Sequence, residues 1–261
     1  MPELTFGHSP CPNDTFAFHA LTHGLIEVPF RVTPVLLDIE ELNRRAHTGE
    51  FHLTKLSVGA FAAVGDRYRV LRSGAALGHG VGPLVVARTS IALKEAVRGR
   101  VAIPGRETTA YRLLRLAAPD IGEVLEMRYD RILAAVASGE VEAGLIIHES
   151  RFTYAEHGLT KIADLGEWWE QETHLPVPLA GICARADVDA ATVATAEGAI
   201  RASVQYAFDH PEASRAYVRA HAQEMSDTVC AQHISLYVNE YSLDVGDEGL
   251  RAIARLVGGA S

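Results

Sequence analysis

The chain has 261 residues, 48% hydrophobic and 22% charged, with a formal net charge of −9, a composition that suits a globular protein of one large or two modest domains. Its Lys and Arg residues are scattered, so no face offers the basic field that nucleic acid or an anionic membrane requires, and neither is expected as a partner. Cys11, Cys183 and Cys230 are far apart and form no CxxC pair, which argues against a disulfide framework or a cysteine zinc site and suits a reducing compartment.

The opening MPELTFGHSP passes straight into a strand pattern with no leader-like segment, and no stretch reaches the roughly 18 apolar residues of a membrane span, so a cytoplasmic location is expected. In chain order, LTFGHSP, VTPVLLDIE, FHLTKLS, VLRSGAALG and PLVVAR read as strands, with helices at DTFAFHALTHG, IEELNRRAHTG and VGAFAAVGDRY between them. VAIPG, VLEMRY and AGLIIH continue the series, with helices at TAYRLLRLAA and DRILAAVASG. This alternation predicts an α/β protein with largely parallel sheets. Beyond residue 188 the pattern is helical only, through TVATAEGAIRASVQYAFDH, PEASRAYVRAHAQ, SDTVCAQHISLYVNEYS and DEGLRAIARLVG; Pro211 reads as a first-turn proline and Ser226-Asp227 as a cap.

An internal echo organises these elements. ELNRRAHTGEFHLTKLSVGAF and RILAAVASGEVEAGLIIHESRF share one plan: an amphipathic helix, a Gly-Glu stop at Gly49-Glu50 and Gly139-Glu140, then an apolar strand. Counted from each glycine, Ser57 and His148 occupy nearly the same place, the carboxyl end of equivalent strands. Two similar α/β lobes need two crossings, and VGPLVVAR, ending at Arg88, and PVPLAGICAR, ending at Arg185, supply them. Lobe one is expected at 1–87 plus 178–261, and lobe two, inserted, at 88–177. Ligands of open parallel sheets bind outside the carboxyl ends of the strands, so an interlobe cleft with Ser57 and His148 on opposite walls is expected.

His148 is the leading candidate for chemistry, because imidazole titrates near physiological pH and a strand tip delivers it to the cleft; the plainer reading is a half-exposed histidine of no consequence. In PGRETTAY, Thr108-Thr109-Ala110 opens a helix whose first amides suit a carboxylate or polarised oxygen, against the plain alternative of an N-cap by Thr108 or Thr109. Lys55 and Ser57 share a strand face, where Lys55 is placed to anchor an anion and Ser57 to donate a hydrogen bond. In SPCPNDTF two prolines stiffen a loop before a helix, with Asp14 the better cap candidate than Asn13. His19 and His23 lie four apart on a helix but without the zinc-protease glutamate, so no metal is expected. Trp168-Trp169 suits lobe packing better than ligand stacking.

Taken in order, SPCPNDTF, LTKLS, ALGHGVGPLVVAR, PGRETTAY, GEVEAGLIIHESRFTY and SLDVG resemble the segments of the 1,4-dihydroxy-6-naphthoate synthase family over nearly the whole chain. The resemblance implies the type 2 periplasmic-binding-protein fold, two α/β lobes joined by two crossovers. It implies a lyase of menaquinone biosynthesis that converts cyclic dehypoxanthine futalosine to 1,4-dihydroxy-6-naphthoate and dihydroxyacetone without a cofactor. It further implies that His148 is the general base and that Lys55, Leu56, Ser57, Thr109 and Ala110 line the site of a small-molecule substrate. Two other readings compete: chorismate dehydratase of the same pathway, which shares the fold, and a non-catalytic solute-binding or sensor protein, against which His148 at the cleft weighs.

Overall fold

In the computed structural model, which describes residues 2–223 and 226–258, the apolar runs become strands and their polar interruptions become turns. The strands are β1 (Glu3–His8), β2 (Arg31–Leu36), β3 (Leu53–Ser57), β4 (Tyr68–Val70), β5 (Ala76–Gly78) and β6 (Leu84–Ala87). They continue with β7 (Val101–Ile103), β8 (Val124–Glu126), β9 (Ala143–Ile146), β10 (Thr160–Asp164) and β11 (Val177–Arg185). The chain divides into two units, Met1–Gly78 with Pro178–Ser261, and His79–Val177. The sequence reading puts the first crossing at Arg88. The structure puts it between Gly78 and His79, because Leu84–Ala87 pairs with both β9 and β10 inside the second sheet.

In the first unit the sheet order is β2-β1-β3-β11-β4, with β5 also on β11. β1 runs parallel to β2 and β3, whereas β11 is antiparallel to β3 and β4, so the expected parallel character holds only for the first three strands. The carboxyl-terminal helices fill this unit's core: Ile200 and Val204 of helix Ala190–Asp209 pack with Phe6, Phe18, Leu53 and Ile182. Burying each such side chain contributes roughly 1.5–3 kcal/mol. Helix Ile39–Ala46 starts at an Asp38 cap and buries Ile39, Leu42, Asn43 and Ala46. It can lie tight on β1 because position 7 is glycine; a Cβ there would stand 2.9 Å from Leu42 Cδ2.

The second unit has sheet order β10-β6-β9-β7-β8, with β7 parallel to β8 and β9 and β6 antiparallel to β9 and β10. Helix Tyr129–Ser138 covers β9 through Ile132 and Val136, which pack with Leu84, Val86 and Ile146. Gly144 makes the contact possible, since a Cβ there would lie 2.6 Å from a methyl of each. The Gly-Glu stops take left-handed backbone at φ 69° and 81°, at Gly49 and Gly139.

Several predicted elements are subdivided. The helix expected over 14–24 is two, Pro12–Ala17 and His19–Thr22, broken at Phe18, whose buried ring sits edge-on to Phe6 with centroids 5.1 Å apart. VLRSGAALG is two short strands. The helix after Pro211 begins at Arg215, while Ser226 caps helix Asp227–Tyr237 as expected. Among the described residues no helix is long and apolar enough to cross a membrane.

Candidate functional site

The candidate residues fall in two groups, one in each unit. In the first unit, β1 ends at His8 and the loop Ser9–Cys11 leads into helix Pro12–Ala17. Asp14 does not cap this helix, contrary to expectation; Cys11 occupies the cap position. The Asp14 carboxylate instead turns back to the loop, accepting from Ser9 N–H at 3.0 Å, Ser9 Oγ at 2.8 Å and Asn13 Nδ2 at 2.8 Å. Lys55 Nζ pairs with the same carboxylate, and both side chains are almost wholly buried. The ammonium expected to anchor an anion is therefore already neutralised, as its burial demands. Asn13 extends the network to the carboxyl-terminal helices, its Oδ1 lying 2.9 Å from His233 Nε2.

Leu56 points to the opposite face of β3, fully buried among Ala46, Val64, Tyr68 and Cys183, so it offers a ligand only its main chain. Ser57 ends the strand. Its N–H donates to Asn43 Oδ1 at 2.9 Å, which fixes the amide orientation, and its Oγ accepts from Asn43 Nδ2 at 3.1 Å. Because the oxygen accepts from Asn43, the hydroxyl hydrogen points away from that amide. Asn43 carries a single sequence signal, an amide on the buried face of an amphipathic helix. His8 is fully buried beside this network. Its Nδ1 lies 3.0 Å from the Ser9 carbonyl, which only accepts, so Nδ1 carries the proton. Burial, only partly offset by the Asp14 charge, pushes its pKa down and keeps the ring neutral.

In the second unit, β7 and β9 are parallel neighbours in register at Val101 with Ala143, so the segments leaving them emerge at the same sheet edge. After β7, the loop reaches helix Thr109–Ala117, and Thr108 is its cap, accepting from Tyr111 N–H at 3.2 Å. Thr109 and Ala110 are the first two helical residues, both buried, at the positions where a helix makes no use of its own amides.

After β9 the expected geometry changes. The strand stops at Ile146, and His148 is not its tip but lies in a tight turn with φ 56°, one of two non-glycine residues with positive φ among those described. Helix Ser150–Thr153 starts two residues on, and Arg151 N–H closes a turn back onto the His148 carbonyl at 3.4 Å. Such backbone on a residue with a Cβ is uncommon and collects at functional positions. The Tyr129 ring meets the imidazole edge-on, centroids 4.8 Å apart at 69°, and Tyr129 Oη donates to buried Glu149 Oε1 at 3.4 Å. Arg151, just past the turn, donates to the Gly82 carbonyl at 2.6 Å and to Asp164 Oδ2 at 2.9 Å. Neither Tyr129 nor Arg151 carries a local sequence signal.

The remaining candidates lie elsewhere. Trp169 is buried and donates from Nε1 to the Pro176 carbonyl at 3.0 Å, a packing role. His19 and His23 stack at 4.3 Å beside Tyr217, and among the described residues no group of three or more His, Cys, Asp or Glu is arranged to hold a metal ion.

A family model described as menaquinone biosynthesis matches residues 4–261. The chain belongs to this menaquinone biosynthesis family. Within it, a Thermus thermophilus protein named 1,4-dihydroxy-6-naphthoate synthase is 58% identical over 256 residues, 98% of this chain and 93% of that protein. A Streptomyces coelicolor protein of the same name is 46% identical over 97% of this chain and 91% of its own length. A solved structure from Archaeoglobus fulgidus superposes with a TM-score of 0.93 at 36% identity, covering 98% of this chain and 96% of that one. A Candida albicans protein described as having the generic periplasmic binding protein fold superposes at 0.75 with 13% identity, covering 99% and 90%. The family member described here thus has a periplasmic-binding-protein-like fold, and its relatives are biosynthetic enzymes.

Proposed function

We propose that the chain is a 1,4-dihydroxy-6-naphthoate synthase, a lyase that converts cyclic dehypoxanthine futalosine to 1,4-dihydroxy-6-naphthoate and dihydroxyacetone, with His148 as general base. The observation that carries this reading is the identity of 58% over nearly the full length to a protein of that name. The geometry of the second unit supports it. A histidine is held in left-handed backbone just past the end of β9, and helix Thr109–Ala117 starts after the corresponding end of its parallel neighbour β7.

In this reading His148 takes a proton from the bound substrate, and the positions of Thr109 and Ala110 supply helix-start amides for an oxygen that gains charge. Ser57, its oxygen engaged by Asn43, donates to a substrate acceptor. Lys55 shapes the site while paired with Asp14. Bond cleavage leaves a naphthalene diol, so aromatisation supplies much of the driving force, and proton transfer from a positioned base adds about 10²–10⁴-fold. Substrate and products balance without a co-reactant, and the reading includes a cytoplasmic site of action, which three cysteines outside any disulfide suit. Incubating purified protein with cyclic dehypoxanthine futalosine, and separately with chorismate, tests it. The naphthoate, identified by absorbance and mass, should form only from the first; turnover of chorismate alone would replace this reading with the dehydratase.

A further inference from the structure

Tyr129 is the first residue of helix Tyr129–Ser138 and is 5% exposed. A residue there needs only to be apolar if its task is to fill the core, and the next two inward side chains, Ile132 and Leu133, are aliphatic. Tyr129 instead presents a flat ring edge-on to the His148 imidazole, at 4.8 Å and 69°, and places its hydroxyl on Glu149, the following residue. Centroid spacing and tilt both fall in the range favoured by ring quadrupoles.

The backbone of the His148 turn is set by β9 before it and helix Ser150–Thr153 after it, which fixes the Cα–Cβ direction but not rotation about it. The ring of Tyr129 acts on that rotation. Its own position comes from the same packing: Ile132 and Val136, one and two turns further along its helix, seat on Gly144 of β9 with no room for a single added carbon. Strand and helix are thus packed closely together, with the buried Tyr129 ring set against the half-buried His148 imidazole.

We propose that Tyr129 is a positioning residue that sets the plane of the His148 imidazole, and with it the direction of the lone pair that receives the proton. The proposal rests on the reading of His148 as base. A base swung by a few tens of degrees still leaves the substrate bound, so the effect falls on kcat and spares KM. Tyr129→Phe keeps the ring and should retain kcat within about threefold, whereas Tyr129→Leu, of similar apolarity, should lose about tenfold or more with KM changed less than about threefold. Because loss of activity alone has other causes, the imidazole C–H resonances are read in the same variants after histidine labelling, with His148 assigned by its disappearance in His148→Asn. One narrow His148 resonance is expected in the parent and in Tyr129→Phe, and a broadened or doubled one in Tyr129→Leu. Full kcat with an unaltered resonance in Tyr129→Leu overturns the proposal; should that variant not fold, Tyr129→Met is judged by the same two readouts. Full activity of His148→Asn would instead remove the base assignment, and the resonance would still decide whether Tyr129 orients the ring.

Discussion

Asn43 meets Ser57 twice, accepting its backbone N–H at 2.9 Å and donating to its hydroxyl at 3.1 Å. Both residues are buried, so Asn43→Ala leaves an amide at the end of β3 without its partner, at a cost of about 1–3 kcal/mol in urea unfolding. Ser57→Ala removes only the hydroxyl and should change stability little, while weakening product binding by about 0.5–1.5 kcal/mol if its partner is neutral. Equal stability losses in the two variants would show that the backbone bond to Asn43 matters no more than the side-chain one.

The buried pair of Lys55 and Asp14 makes an unequal prediction. Asp14 retains three other donors when Lys55 is replaced, whereas Lys55 loses its buried counter-charge when Asp14 is replaced. Asp14→Asn should therefore destabilise more than Lys55→Met, each within an upper bound of about 3–5 kcal/mol. The double variant should cost less than the sum by about 1 kcal/mol or more. Additive losses would mean that the two charges are not coupled.

For His148, asparagine is the informative replacement, because it tolerates left-handed backbone and so leaves the turn intact. His148→Asn should lower kcat about 10²-fold or more while changing the product Kd less than about tenfold, roughly 1.4 kcal/mol. Near-normal kcat with lost binding would make His148 an anchor for the ligand instead of the base.

His8 predicts a pH effect on stability. Burial lowers its folded pKa below the ordinary value of 6.5, so above that value both folded and unfolded chains hold it neutral and it adds no slope. As pH falls below 6.5 the unfolded chain takes up a proton that the folded chain refuses, and stability is lost until the folded pKa is reached. His8→Gln should flatten the unfolding free energy as pH falls below about 6.5, by up to about 1.4 kcal/mol per pH unit. An unchanged slope in denaturant titrations at those pH values would place the proton uptake at other histidines.

Local patterns in the sequence express the alternation of strands and helices and the glycine stops at Gly49 and Gly139. These depend on periodicity and backbone freedom, which neighbours in sequence express. The site's supporting contacts do not. Asn43 reaches Ser57 across 14 positions, Tyr129 reaches Glu149 across 20, and Arg151 reaches Gly82 across 69. The His148 turn has a related reason: histidine is more tolerant of left-handed backbone than most residues, but only weakly, and most histidines in a chain do not adopt it. β10 carries no clear strand signal because its run is short and mixed, and its pairing with β6 supplies what its composition lacks.

The order of the strands also has a consequence for synthesis. β3, which carries Lys55, Leu56 and Ser57, lies between β1 and β11, and β11 follows only after the whole of the second unit. On a ribosome adding about 5–20 residues per second, β3 waits on the order of 5–20 s as an unprotected edge while His79–Val177 is made. The second unit is continuous in sequence and can close its own sheet during that interval. The first unit, holding both ends of the chain, finishes last. During that delay the nascent chain is most open to mispairing along Leu53–Ser57, the strand whose far end the proposed substrate would meet.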